Sequence, residues 1–199
     1  MKKGDLTRDK LVAATATLLQ RQGFHGTTLL DIVHESGAPR GSLYFHFPEG
    51  KEALACAALE GAGGRWRELI EGLVAGAPHP GDAVYAVCEF LATSLEASNY
   101  SEGCPLATVG LEAASTSEQV RATVARHYDG WIESISRRLE GLGAPHAEAE
   151  RFATFTLSAI EGALLLSKVK RSTKPLRDVG EMLRGLAQGN SPRDRRAPR

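Results

Sequence analysis

From Gly23 to Leu54 the chain reads GFHGTTLLDIVHESGAPRGSLYFHFPEGKEAL, and two helices separated by a glycine turn can be placed within it. Thr28 offers a hydroxyl to cap a helix, and Asp31, three positions on, completes a reciprocal cap. Leu29, Ile32 and Val33 then recur at helical spacing on one face, and Gly37 supplies a left-handed stop. Pro39 suits the first turn of a short following helix that Pro48 closes. Leu43 and Phe47 fall on one side of it while Arg40, Ser42, Tyr44 and His46 face outward; Leu43, Phe45 and Phe47 are assigned to the core. A short helix with an exposed polar face can lie in the major groove of DNA, about 12 Å wide. Three packed helices of a plain bundle satisfy the same spacing, so geometry alone leaves both readings open.

On either side the pattern stays helical. Alternating β-branched runs bounded by hairpin turns are absent, and apolar residues recur three and four apart almost throughout, which predicts an all-α fold. Upstream, Thr7 is expected to cap a first helix carrying Leu11, Ala14 and Leu18 on one face and ending at Gly23. Downstream, a long fourth helix runs from Lys51 to about Val74 and contains Gly61, Gly63 and Gly64, each costing about 1 kcal/mol against alanine. The loop GAPHPGD, Gly76 to Asp82, follows. Further helices are placed at Ala83 to Ala97, Pro105 to Ala113, Ser117 to Leu142, Pro145 to Lys168 and Pro175 to Gln188, making nine. The expected division is residues 1–50 for DNA binding, 51–188 for ligand binding and dimerisation, and a disordered basic tail at 189–199.

A length of 199 residues with 42% hydrophobic composition is enough for a substantial core. No run of about 18 apolar residues and no secretory leader is visible, so a cytoplasmic location is expected. Cys56, Cys88 and Cys104 are an odd number without paired close spacing, which predicts free thiols and neither a disulfide framework nor a metal site; no cofactor is expected. Net charge is zero, but its distribution is uneven. Met1 to Lys51 holds seven Lys or Arg against five Asp or Glu, the segment from Gly189 four against one, and the middle thirteen against eighteen. Basic ends on an acidic body suit a terminal DNA-contacting module.

The quoted stretch resembles the signature of TetR-family regulators: a glycine-aromatic pair, a Thr-capped helix, a glycine turn, then G-x-L-Y-x-H-F and K-E-x-L. The resemblance implies a nine-helix repressor with a helix-turn-helix at its N-terminus. It also implies that Arg40, Gly41, Ser42, Tyr44 and His46 face DNA, with Thr28 and Lys51 at helix starts contacting phosphates. Those residue types suit the roles. Arg40 can pair bidentately with guanine, Gly41 lets backbone approach closely, and Tyr44, His46 and Lys51 carry donors for phosphate oxygens. Two departures stand out: Pro39 replaces a common hydroxyl residue, and Gly50 lengthens the connection before Lys51.

Further along, SEGCPLATVGLE, Ser101 to Glu112, resembles the branch of the family related to LmrA and YxaF. That resemblance implies a homodimer that represses from a palindromic operator in double-stranded DNA and is released by a small hydrophobic or aromatic inducer. Trp66, Phe90, Leu106, Val109, Tyr128, Trp131 and Phe155 are candidates to line an inducer cavity, although aromatics also simply fill helical cores. The stretch Phe152 to Val169 is apolar nearly all round. Its Ser158, Ala159, Gly162 and Ala163, with Leu183 on the last helix, are candidates for a two-fold interface; a central helix of a monomer would read the same way. Gly61, Gly63 and Gly64 offer a bending point by which ligand shifts the fourth helix. Three alternatives remain: a helical enzyme using Glu161 with His127 or Glu112, a ligand-binding scaffold, and a thiol sensor at Cys104 near a helix start.

Overall fold

In a computed structural model, residues 3–189 are described, and the expected basic tail lies outside them apart from Gly189. Nine helices and no strand occur among the described residues: α1 Lys3–Gly26, α2 Leu29–Ser36, α3 Arg40–His46, α4 Lys51–Gly76, α5 Pro80–Ala97, α6 Pro105–Ala113, α7 Glu118–Glu140, α8 His146–Lys170 and α9 Lys174–Gly189. The all-α, nine-helix expectation holds. Thr7 is not the start of α1, which begins a turn earlier; Gly23 does break it, at φ 73° and ψ −174°.

Packing groups the chain into two compact units, neither of which ends at residue 50. Among the described residues the first holds 3–66 and 104–127 and the second 67–103 and 128–189, so α4 and α7 each contribute to both. In the first unit, Leu11, Ile32, Ala38, Leu43, Phe47 and Leu54 form one buried cluster, flanked by Val12, Leu18, Leu29 and Val33. Four helices meet there, and the two short ones owe their position to it, since isolated helices of seven or eight residues are unstable in water.

The start of α7 grips α4 in the same unit. Ser117 donates to Glu52 at 2.6 Å, Arg126 pairs with Glu60, and the buried His127 lies against Gly63. A Cβ on Gly63 would sit 2.2 Å from His127 Nδ1, so this glycine is where two helices touch. Gly64 has nothing within 4 Å of the same construction, and α4 shows no break at either position.

In the second unit α5 and α9 approach closely through Gly81 and Gly180, whose added Cβ atoms would meet the Arg184 backbone at 2.6 Å and Cys88 Cβ at 2.9 Å. Arg184 reaches Asp82 at 2.8 Å and Arg177 reaches Glu89 at 3.0 Å along the same contact. On α8, Ala153, Thr156, Ala163, Leu164 and Ser167 face inward. The opposite side exposes Phe155, Ser158, Gly162, Leu165, Leu166 and Val169, which fall within about 100° of helix surface at 3.6 residues per turn. On α9, Met182 and Leu186 are also exposed.

Candidate nucleic-acid interface

Thr28 and Asp31 build the predicted cap in full. The Asp31 amide donates to Thr28 Oγ1 at 3.1 Å, while the Thr28 amide and hydroxyl donate to Asp31 Oδ2 at 3.0 and 2.6 Å. These hydrogen bonds hold the Asp31 carboxyl below its ordinary range. Both donors of Thr28 are therefore engaged within α2. Gly37, at φ 61°, ends α2 and returns its amide to His34 at 3.3 Å.

Pro39 starts α3 without a side-chain cap, and Leu43 and Phe47, 1% and 5% exposed, seat the helix on the core. Arg40, Gly41 and Tyr44 are exposed, and Ser42 and His46 partly so. The structure thus brings together on one short helix five of the seven residues expected to face DNA. Phe45 corrects the sequence reading: assigned to the core, it is 80% exposed, the most exposed large hydrophobic side chain of α3. It lies two residues from both Leu43 and Phe47, hence about 200° round the helix from each. Its ring rests edge-on to His46, with centroids 5.0 Å apart.

Lys51 sits at the start of α4, after Gly50 makes the connection with φ 79°. Its ammonium lies 4.3 Å from the centroid of Phe24, and burial lowers its pKa against the pull of nearby Glu112. Glu112, on α6, also accepts the His25 amide at 2.8 Å, while His25 Nε2 meets the Glu112 carbonyl oxygen at 3.1 Å. Gly23 is required beneath it, since a Cβ there would lie 2.0 Å from Glu112 Oε1. One carboxylate from α6 therefore clasps the end of α1 beside the start of α4. Sequence reading considered Glu112 only as a catalytic acid and missed the clasp. Its partners are 87 positions away, and no local pattern announces them.

Residues 11–58 match the family described as bacterial regulatory proteins, tetR family, and residues 80–182 match the transcriptional regulator LmrA/YxaF-like C-terminal domain. The chain is a member of the TetR family. It is similar to the HTH-type transcriptional regulator LmrA of Bacillus subtilis strain 168, 32% identical over 94% of this chain and 98% of that one. It is also similar to YxaF of the same organism, an uncharacterised HTH-type regulator, 33% identical over 91% and 94%. Among solved structures, a TetR transcriptional regulator from Chloroflexus aurantiacus J-10-FL superposes with a TM-score of 0.78 at 29% identity, covering 94% of this chain and 97% of that one. The TetR-family helix-turn-helix is thus α2 and α3, and the LmrA/YxaF-like C-terminal domain spans α5 to α8 and most of α9.

The residues expected to line an inducer cavity are dispersed. Leu106 and Val109 are fully buried on α6 in the first unit, where Trp66 is partly buried. In the second, Trp131 is buried with its ring edge against Tyr128, centroids 5.7 Å apart. Phe90 and Phe155 are exposed, at 39% and 53%, so neither is the interior aromatic the sequence suggested; Phe155 shares the outer stripe of α8. Trp131 Nε1 and Thr156 Oγ1, both buried in the second unit, have no hydrogen-bond partner, and Thr156 had no signal in the sequence. Of the residues expected at a two-fold interface, Ser158 and Gly162 are exposed on that stripe and Ala159 partly so. Ala163 and Leu183, at 2% and 1%, are instead packed inside the chain's own fold.

The other chemical candidates have structural surroundings. His127 Nε2 lies 3.1 Å from Glu60 Oε2 but makes no hydrogen bond to it. Cys56, Cys88 and Cys104 are buried and form no disulfide, and burial pushes the thiol of Cys56 up and that of Cys88 up to about 12.

Proposed function

We propose that this TetR-family regulator is a ligand-responsive repressor that binds a palindromic operator as a homodimer and leaves it when a small hydrophobic or aromatic molecule occupies the C-terminal domain. The observation that carries the reading is the outer face of α3, where Arg40, Gly41 and Tyr44 stand exposed on a helix that Leu43 and Phe47 fix to the core. Arg40 is assigned to a guanine edge, Gly41 to close backbone approach, and Ser42, Tyr44 and His46 to base-edge or phosphate contacts. Thr28 orients α2 through its cap. Lys51 adds positive charge at the start of α4.

A second copy is the natural occupant of the apolar stripe of α8. Ser158 and Gly162 allow helices to approach while Leu165, Leu166 and Val169 supply area, and a two-fold dimer presents two α3 helices to half-sites about 34–36 Å apart. Two unpartnered buried polar groups, Trp131 Nε1 and Thr156 Oγ1, support a ligand in the second unit; each costs about 1–3 kcal/mol while unsatisfied. The Glu112 clasp gives α6 a direct hold on the end of α1, the helix on which α2 and α3 pack. A ligand that prefers a displaced α6 shifts the population away from the DNA-competent state. A regulator acting on promoter DNA in this way works in the cytoplasm, which is part of the proposal.

Selection of bound duplexes from random DNA by the full chain tests the proposal. An inverted repeat, with affinity falling steeply as salt rises, is expected. Sequence-independent or salt-insensitive binding overturns it and favours the scaffold reading, and turnover of an aromatic substrate favours the enzyme.

A further inference from the structure

A phenylalanine ring 80% exposed at the middle of a seven-residue helix is unfavourable in water and contributes nothing to the packing of α3, which Leu43 and Phe47 secure from the other side. Its position is specific. Phe45 stands opposite the buried edge, with Gly41 and Tyr44 on one shoulder of the helix and Ser42 and His46 on the other, while Arg40 extends from the first turn of the helix. When that face enters a groove, the shoulders meet the walls, where the phosphates are, and the centre meets the floor, where the base edges are. Gly41 lies one turn before Phe45 with open space around it, so nothing beside the ring keeps the helix from deep approach. His46 holds the ring edge-on, which restricts its swing.

A phenyl ring on the floor of the major groove has no donor or acceptor with which to replace the water it displaces from base edges. The one apolar group displayed there is the C5-methyl of thymine. We infer that Phe45 is a specificity-determining residue of α3 that selects thymine in each half-site by packing its ring on that methyl. The inference rests on the placement of α3 in the major groove proposed above. It divides the helix chemically: Arg40 selects by hydrogen bonding, Phe45 by apolar contact, and the flanking hydroxyl and imidazole groups position the helix without choosing a base.

The test uses the full-length protein and the duplex it selects from random DNA. Each thymine of a half-site, with its symmetry mate, is replaced by deoxyuridine, which removes only the methyl, and affinity is measured at fixed salt for the unmodified protein and for Phe45→Ala. One symmetric pair of replacements is expected to weaken the unmodified protein roughly tenfold and to leave Phe45→Ala, already weaker by a similar factor, unchanged. The salt dependence of Phe45→Ala should match that of the unmodified protein, because no phosphate contact is removed. Phe45→Gln, whose amide suits adenine, should select a different base at the same position. If deoxyuridine costs the two proteins equally at every position, or if Phe45→Ala and Phe45→Gln select the same sequence as the unmodified chain, the role of Phe45 is refuted and the repressor reading stands. Failure of the unmodified chain to select any sequence overturns both.

Discussion

α3 and α8 each hold apolar side chains out in water, and the difference between them separates two kinds of recognition. On α3 the exposed apolar residue is single, Phe45, set among Arg40, Ser42, Tyr44 and His46. On α8 it is a stripe, Phe155, Leu165, Leu166 and Val169, in which only Ser158 and Gly162 intervene. A lone ring among donors fits a surface that is mostly polar and charged with an occasional methyl, which describes DNA. A continuous apolar stripe with small residues in it fits another helix. Number and surroundings of the exposed groups, rather than exposure itself, distinguish the two partners.

The sharpest break in that comparison comes from charging the stripe. Leu166→Arg should convert the proposed dimer to monomers, read by sedimentation, and weaken operator binding by a hundredfold or more, because each α3 then binds without its tethered mate. A variant that stays dimeric with full DNA affinity would show that the stripe faces something else. Arg40→Ala should act the other way round. The dimer persists while affinity falls roughly thirtyfold or more, from about 1–3 kcal/mol lost at each of two half-sites, with preference relaxed at one position per half-site.

How far the sequence discloses these two surfaces depends on how local their causes are. The cap of α2, the stop at Gly37 and the buried pair Leu43 and Phe47 are set by residues within four positions of each other, and they are readable. Phe45 was misassigned because aromatic character was weighed above angle: two residues past Leu43 is the far side of a helix, whatever the side chain. On α8 the near-uniform apolar sequence conceals which side turns outward, so Ala163 was taken for a partner contact and Phe155 for the interior. Packing by α9 decides that, and its contribution is not written in α8. The Glu112 clasp joins segments 87 residues apart and was invisible for the same reason.

The glycines of α4 offer a finer contrast. Gly63→Ala should lower stability by about 1–3 kcal/mol, since a methyl there must displace the buried His127 ring, whereas Gly64→Ala meets no neighbour and should raise it by up to about 1 kcal/mol. Thermal melts of the two variants check this. If both raise stability and both impair ligand response, flexibility rather than close packing is what α4 needs at this point.

The smallest effects lie at the starts of α2 and α8, the helices that support the two surfaces. Thr28→Ala removes a cap and should cost about 1 kcal/mol. Asp31, lowered by the Thr28 hydrogen bonds, contributes stability that is complete above the ordinary aspartate range and lost only as pH falls below it, so this cap is constant from pH 5 to 8. α8 starts differently: Pro145 provides no side-chain cap, and His146 Nδ1 instead meets Glu140 Oε1 at 2.7 Å. That hydrogen bond and the carboxylate charge, with Glu150 nearby, raise the histidine pKa. A raised histidine gives stability that is complete below its unfolded pKa, about 6.5, and disappears as pH climbs through the higher folded value. Melting temperature should therefore carry a small decline above pH 6.5 that His146→Gln removes and Thr28→Ala leaves in place, and a decline surviving His146→Gln would assign it to another group.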